Sequence, residues 1–186
     1  GATWVKFQGR ISRALLRAGI EEAHALGLRV TGHLCSVTFT EAAAMGIDAL
    51  QHGFITNSDY VPGKRPDECP PENIRAIAAS KAAVVSTLGV YETFMVGHAI
   101  DPRALDLMDP DTRREVQANN AGLAESGTVV SPGLFKRMMQ WERDFVAAGG
   151  LLGAGSDPWG TGLLPGLGNL RNYELLVQAG FTPEQA

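Results

Sequence analysis

Arg29-Val30-Thr31-Gly32-His33 and, further along, Ala49-Leu50-Gln51-His52-Gly53 decide the reading of the fold. Each is a short apolar or β-branched run that ends on a histidine, the composition of a buried strand. Between them residues 38–45 read as a short helix, with Thr38 and Glu41 spaced as a capping box and Gly46 as the stop. Strand, helix and strand in succession, with strands apolar on both faces, is the repeat of a parallel sheet covered by helices.

Outward from this unit the rhythm continues. Thr3-Trp4-Val5-Lys6-Phe7 is a strand by composition, and residues 13–26 carry Leu15, Leu16, Ile20, Ala23 and Leu26 at helical spacing before Gly27. Pro70-Pro71-Glu72 opens a helix bearing Ile74, Ile77 and Ala78, followed by a strand over 83–88. Asp109-Pro110-Asp111 starts a helix running to about Glu125. Leu134, Met138, Trp141 and Phe145 form a stripe on another, a last strand covers 151–155, and a final helix covers about 170–179. Two parallel architectures fit, a doubly wound sheet and a (β/α)8 barrel. The stretch 88–151 breaks the rhythm, and Thr128-Val129-Val130 is a candidate extra strand there.

Composition narrows the function classes. The 186 residues are 45% hydrophobic and 19% charged, with net charge −4. No Lys/Arg run exists to track phosphates, so no nucleic-acid partner is expected. No stretch approaches the ~20 apolar residues that cross a bilayer, so no membrane partner is expected either. Cys35 and Cys69 are too few for a disulfide framework and lack metal-ligand spacing; both read as free thiols, Cys35 as a buried one. The compartment is left open, with cytoplasm favoured, because any targeting segment would lie upstream of Gly1. Both ends read as cut: the chain opens on a strand, and Thr182-Pro183-Glu184-Gln185 starts a helix that has no length. A segment of a longer polypeptide is the expectation.

Polar groups recur at the expected strand ends: Lys6 on the first, His33 on the second, His52 on the third and Asp157 after the last. In a parallel barrel those ends share the face on which active sites are built. Two imidazoles, a carboxylate and a lysine suit divalent metals.

At this point a resemblance becomes specific. Thr31-Gly32-His33 with Gly46-Ile47-Asp48-Ala49-Leu50-Gln51-His52-Gly53 resembles the strand-5 and strand-6 histidine signature of the amidohydrolase superfamily. Gly153-Ala154-Gly155-Ser156-Asp157 resembles its strand-8 aspartate motif. Gly1-Ala2-Thr3-Trp4-Val5-Lys6 resembles strand 4 of its prolidase-like and imidazolonepropionase-like branch. Leu164-Pro165-Gly166, Tyr173-Glu174-Leu175-Leu176 and residues 179–184 resemble that branch's stretch after strand 8. The similarity spans nearly the whole chain and is weakest over 91–131. The strand-1 His-x-His pair of that family is missing: the four histidines, His24, His33, His52 and His98, lie far apart.

The resemblance implies an incomplete TIM barrel of the metal-dependent hydrolase type, about strands 4 to 8, with residues 1–186 the C-terminal part of one catalytic barrel. It also implies two divalent ions, zinc by family habit, bridged by a carboxylated Lys6. His33 and His52 would be ligands, and Asp157 would be ligand and general base. The implied chemistry is hydrolysis of an amide, cyclic amide or dipeptide-type C–N bond in a small-molecule substrate, with the segment inactive by itself and unstable alone. Carboxylation requires that burial first lower the Lys6 pKa.

Tyr91 and Glu92, following the strand over 83–88, and His98 in Gly97-His98-Ala99 are candidate substrate contacts, although a solvated loop histidine is the plainer account of His98. His24 reads as structural. Gly160, Gly162, Gly166 and Gly168 read as a mobile flap. A homo-oligomer stays open. Two rivals remain, a barrel aldolase forming a Schiff base on Lys6 and a non-catalytic binding domain.

Overall fold

A computed structural model describes residues 1–55, 69–125, 130–158 and 162–186. Five parallel strands form one sheet: β1 (Trp4–Gly9), β2 (Arg29–Leu34), β3 (Ala49–Gln51), β4 (Ala83–Ser86) and β5 (Leu152–Ala154). Their spatial order is β1-β2-β3-β4-β5, each strand beside the next in sequence. A doubly wound sheet reverses its order at a switch point, whereas sequential neighbours are the order of a barrel. The topology therefore resolves the choice that pattern alone left open.

The helices are α1 (Arg13–Ala25), α2 (Phe39–Ala44), α3 (Pro71–Ser80), α4 (Leu88–Glu92), α5 (Pro102–Leu107), α6 (Pro110–Ala121), α7 (Pro132–Ala147) and α8 (Leu167–Ala179), with a 3-10 turn at Leu123–Glu125. Their ends follow local chemistry. The Thr38 hydroxyl accepts from Glu41 N while the Glu41 carboxylate accepts from Thr38 N, the expected reciprocal box at the start of α2. Arg13 then clamps that carboxylate through Nε at 2.6 Å and Nη2 at 2.9 Å. The Thr182–Gln185 box also forms, at 2.9 and 3.3 Å, although no helix follows it. Of the candidate strand over 128–130, Thr128 and Val129 lie outside the described residues, and Val130 N donates to Phe94 O.

The chain divides into two compact units. The first comprises Gly1–Ser86 and Gln140–Gly153, the second Thr87–Met139 and Ala154–Ala186. In the first, register and alternation sort the strand residues onto two faces. Val30, Leu34, Leu50 and Val84 are fully buried on one face together with Leu16 and Ile20 of α1 and Ile77 of α3. Each such side chain contributes roughly 1.5–3 kcal/mol by leaving water. Phe54 stacks edge-on to Phe145 at 5.4 Å and lies 6.3 Å from Phe39, extending this core past the end of β3. Gly19 on α1 has no room for a side chain, since a Cβ there would sit 2.3 Å from the Phe7 ring.

The second unit is helical. Ala104 and Met108 of α5 and its end pack on Val116 of α6 with Ile100, Leu105, Leu164 and Leu167 around them. The buried Asn172 accepts from Gly89 N at 3.1 Å, which ties α8 to α4.

Candidate functional site

The opposite face of the sheet carries the polar residues. Register pairs Lys6 with Thr31 and Gln8 with His33, then Thr31 with Ala49, Ala49 with Ala83, and Gln51 with Val85. Parallel partners point to the same side, so Lys6, Gln8, Thr31, His33 and Gln51 share this face. The Gln51 amide donates to Thr31 Oγ1 at 2.6 Å, and Thr31 Oγ1 donates to Ala49 O at 3.0 Å, so the centre of the face is cross-linked.

Strict alternation would turn His52 to the helix-covered face, with Leu50. It does not follow that alternation: β3 ends at Gln51, and His52 takes a left-handed φ of 75°. The turn brings its buried ring to 4.5 Å from the His33 ring, centre to centre, at 66° between planes. A non-glycine residue in this conformation is held by its surroundings at a cost, a condition that gathers at functional sites. Gly53 follows with φ 63° and donates its N–H to Val85 O at 2.8 Å, pinning the turn to β4.

Lys6 requires a correction. It does not close its strand, which continues to Gly9; it lies level with Thr31 rather than with His33, and Gln8 occupies the position beside His33. Its side chain is exposed. Asp157, three residues beyond β5, lies in the second unit with a left-handed φ of 42°. Cys35 is exposed, against expectation; it follows the last residue of β2, and its N–H still donates to Gly9 O of β1 at 3.0 Å.

A divalent ion can be tested against this donor set. Two imidazoles on one tetrahedral ion, bonded at the usual ~2.1 Å, have ring centres about 5 Å apart. The His33–His52 spacing fits that arrangement. Among the described residues no group of three or more His, Cys, Asp or Glu side chains is gathered to hold a metal, so what fits here is a pair of nitrogen donors.

The candidate substrate residues sit in the second unit. The strand over 83–88 is shorter than expected: β4 stops at Ser86 and α4 begins at Leu88, so Tyr91 and Glu92 are helical. Glu92 and His98 line a cavity of about 300 Å³ with Arg171, Glu174, Ile100 and Leu164; Tyr91 does not, and its ring lies 6.2 Å from that of Phe94. Arg171 grips Glu92 bidentately at 2.7 and 2.8 Å and Glu174 at 2.7 Å. These carboxylates, chiefly Glu92, raise the Arg171 pKa above its usual range. His98 is half-buried rather than solvated, and desolvation lowers its pKa, opposed by the Glu92 charge. Of the four glycines read as a flap, Gly160 lies outside the described residues and Gly168 is buried in α8.

Two further groups complete the polar inventory of the first unit. His24 does prove structural, bonding Asp48 at 2.9 Å while Asp48 also accepts from Val30 N. Glu142, which sequence reasoning missed, sits in the core, where desolvation raises its pKa to about 8. Its signal was present, because Glu142 falls on the stripe of Phe135, Met138 and Phe145 along α7.

No protein-family model matches the chain, and no curated protein matches it in sequence. Solved structures do. A bottromycin amidohydrolase superposes over 98% of this chain and 43% of its own, at 20% identity and TM-score 0.71. The A. niger ochratoxinase does so over 98% and 36%, at 16% and 0.60. A prolidase complexed with N-methylphosphonate-L-proline does so over 96% and 44%, at 19% and 0.53. The chain thus shares the fold of these three proteins, an α/β fold with an incomplete parallel barrel that spans about two fifths of their length.

Proposed function

We propose that this chain is the C-terminal part of the catalytic barrel of a metal-dependent amidohydrolase, acting on an amide, cyclic amide or dipeptide-type C–N bond of a small molecule. The carrying observation is the His33–His52 pair, two imidazoles 4.5 Å apart at neighbouring strand ends of a sequentially ordered parallel sheet. The fold shared with a prolidase and a bottromycin amidohydrolase supports the reaction class.

In this reading His33 and His52 hold a divalent ion, zinc by chemical preference for imidazole. A bound ion supplies Lewis acidity and activates water near neutral pH. The left-handed turn fixes the backbone of His52 and the sheet fixes that of His33, which limits how far the two imidazoles can part. Asp157 accepts the proton from the attacking water and returns it to the leaving amine. Lys6 would join as a carboxylated lysine.

The test uses the full polypeptide. His33→Ala and His52→Ala should each lower bound zinc, and Asp157→Asn should abolish turnover while largely preserving metal content. Wild-type zinc content in both histidine variants would remove the metal centre from these residues. Turnover surviving in Asp157→Asn would remove that aspartate from the chemistry.

A further inference from the structure

Glu142 lies on the half of α7 that belongs to the first unit, with 2% of its surface exposed. Its carboxyl is hydrogen-bonded to the fully buried Ser86 at the end of β4. Its Oε2 is buried and has no hydrogen-bond partner among the described residues. Its Oε1 occupies the place where a side chain on residue 53 would begin: a Cβ built on Gly53 would lie 2.7 Å from it. The turn that carries His52 is thus bonded directly to the Val85 carbonyl of β4, and Glu142, itself bonded to Ser86 at the next position of β4, lies against its Gly53.

A buried acid of this kind needs a reason, because it costs more than an apolar residue of the same shape. Two consecutive left-handed residues, one of them a histidine, also need one. The two needs coincide. An apolar side chain could fill the space beside Gly53, but it could not bond Ser86 and so could not fix the turn relative to β4.

We propose that Glu142 is a positioning residue: its carboxyl occupies the side-chain space of Gly53, locks His52 in its left-handed turn, and so sets where the imidazole meets His33 and a divalent ion. The inference rests on the reading of His33 and His52 as metal ligands. Groups that hold a ligand in place typically change metal affinity about 10–100-fold when removed.

The experiment measures Co2+ binding to the full polypeptide by chelator competition, with the apo-state NMR resonances of the His52 ring as a readout that needs no metal. Glu142→Ala should weaken Co2+ by about tenfold or more and move the His52 resonances, while Glu142→Gln, which keeps the shape and an oxygen, should stay within about threefold of wild type. Gly53→Ala should weaken binding too, and by less in the Glu142→Ala background, because its methyl then enters vacated space. A lower melting temperature in Glu142→Ala with unchanged affinity and unchanged His52 resonances would overturn the inference. Where Glu142→Ala fails to fold, unchanged affinity in Gly53→Ala does the same. His52→Ala is the control: wild-type affinity there removes the ligand reading and this inference with it, whereas loss there beside normal binding in the Glu142 and Gly53 variants removes the inference alone.

Discussion

Replacing Glu142 with glutamine changes how stability depends on pH, in a direction the burial dictates. In the unfolded chain this carboxyl ionises near 4.5; in the native state desolvation holds its proton to about 8. The native form therefore binds more protons across that window, and stability falls as pH rises. The contribution is complete below 4.5, is lost progressively, and levels off above 8. Each pH unit in the window costs about 1.4 kcal/mol, so the whole span is worth roughly 5 kcal/mol as an upper figure. Glutamine has the same outline and no proton to lose, so its variant lacks this slope. Urea unfolding at pH 5, 6, 7 and 8 in the presence of chelator measures the difference. Glu142→Gln should gain on the wild type by about 1 kcal/mol for each unit raised. Parallel stability curves would mean that the Glu142 carboxyl is solvated or charge-paired in the native state, and the burial argument would fail.

Local chemistry sets the remaining expectations. Thr38→Ala removes half of the box that starts α2 and should cost about 1 kcal/mol in chemical denaturation; no change would show that the cap does not limit stability. Arg13→Ala, which cuts an exposed ion pair with Glu41, should leave the denaturation midpoint nearly unchanged, and a clear drop would count against treating that pair as solvent-screened. His98 should titrate by NMR below 6.5, and Glu92→Gln should lower it further by removing the charge that opposes desolvation. Because its native pKa is depressed, the stability tied to neutral His98 is present above 6.5 and lost as the pH falls; a midpoint above 6.5 would contradict the buried setting.

Features that depend on neighbours along the chain were legible in the sequence. Thr38 and Asp109 each cap a helix as their spacing implies, and the Thr182–Gln185 bonds form without one. The strand–helix alternation is readable because buried parallel strands are uniformly apolar. The His33–His52 encounter was legible only as two strand ends, since the left-handed turn that joins them is a tertiary compromise between His52, Gly53 and β4. Lys6 was placed at a strand end because Phe7 looked like the end of an apolar run; Gln8 and Gly9 still pair with β2, as backbone hydrogen bonding does not require an apolar side chain. Helices α4 and α5 were missed because five or six residues are too few to display a period. Arg171 was missed because Glu92, which it grips bidentately, lies 79 residues away in sequence.

The order of strands also sets an order of assembly. Trp4 pairs with Arg29, Thr31 with Ala49 and Ala49 with Ala83, so the first four strands close short loops, each growing from the last. The fifth joins through Val84 and Leu151, across the whole run of α4 to α7. Loop closure over that length is slow relative to the others. During synthesis β1 to β4 would thus emerge well before β5. Glu142 emerges only with this later segment, so the turn bearing His52 acquires its brace after the strands on either side of it have been made.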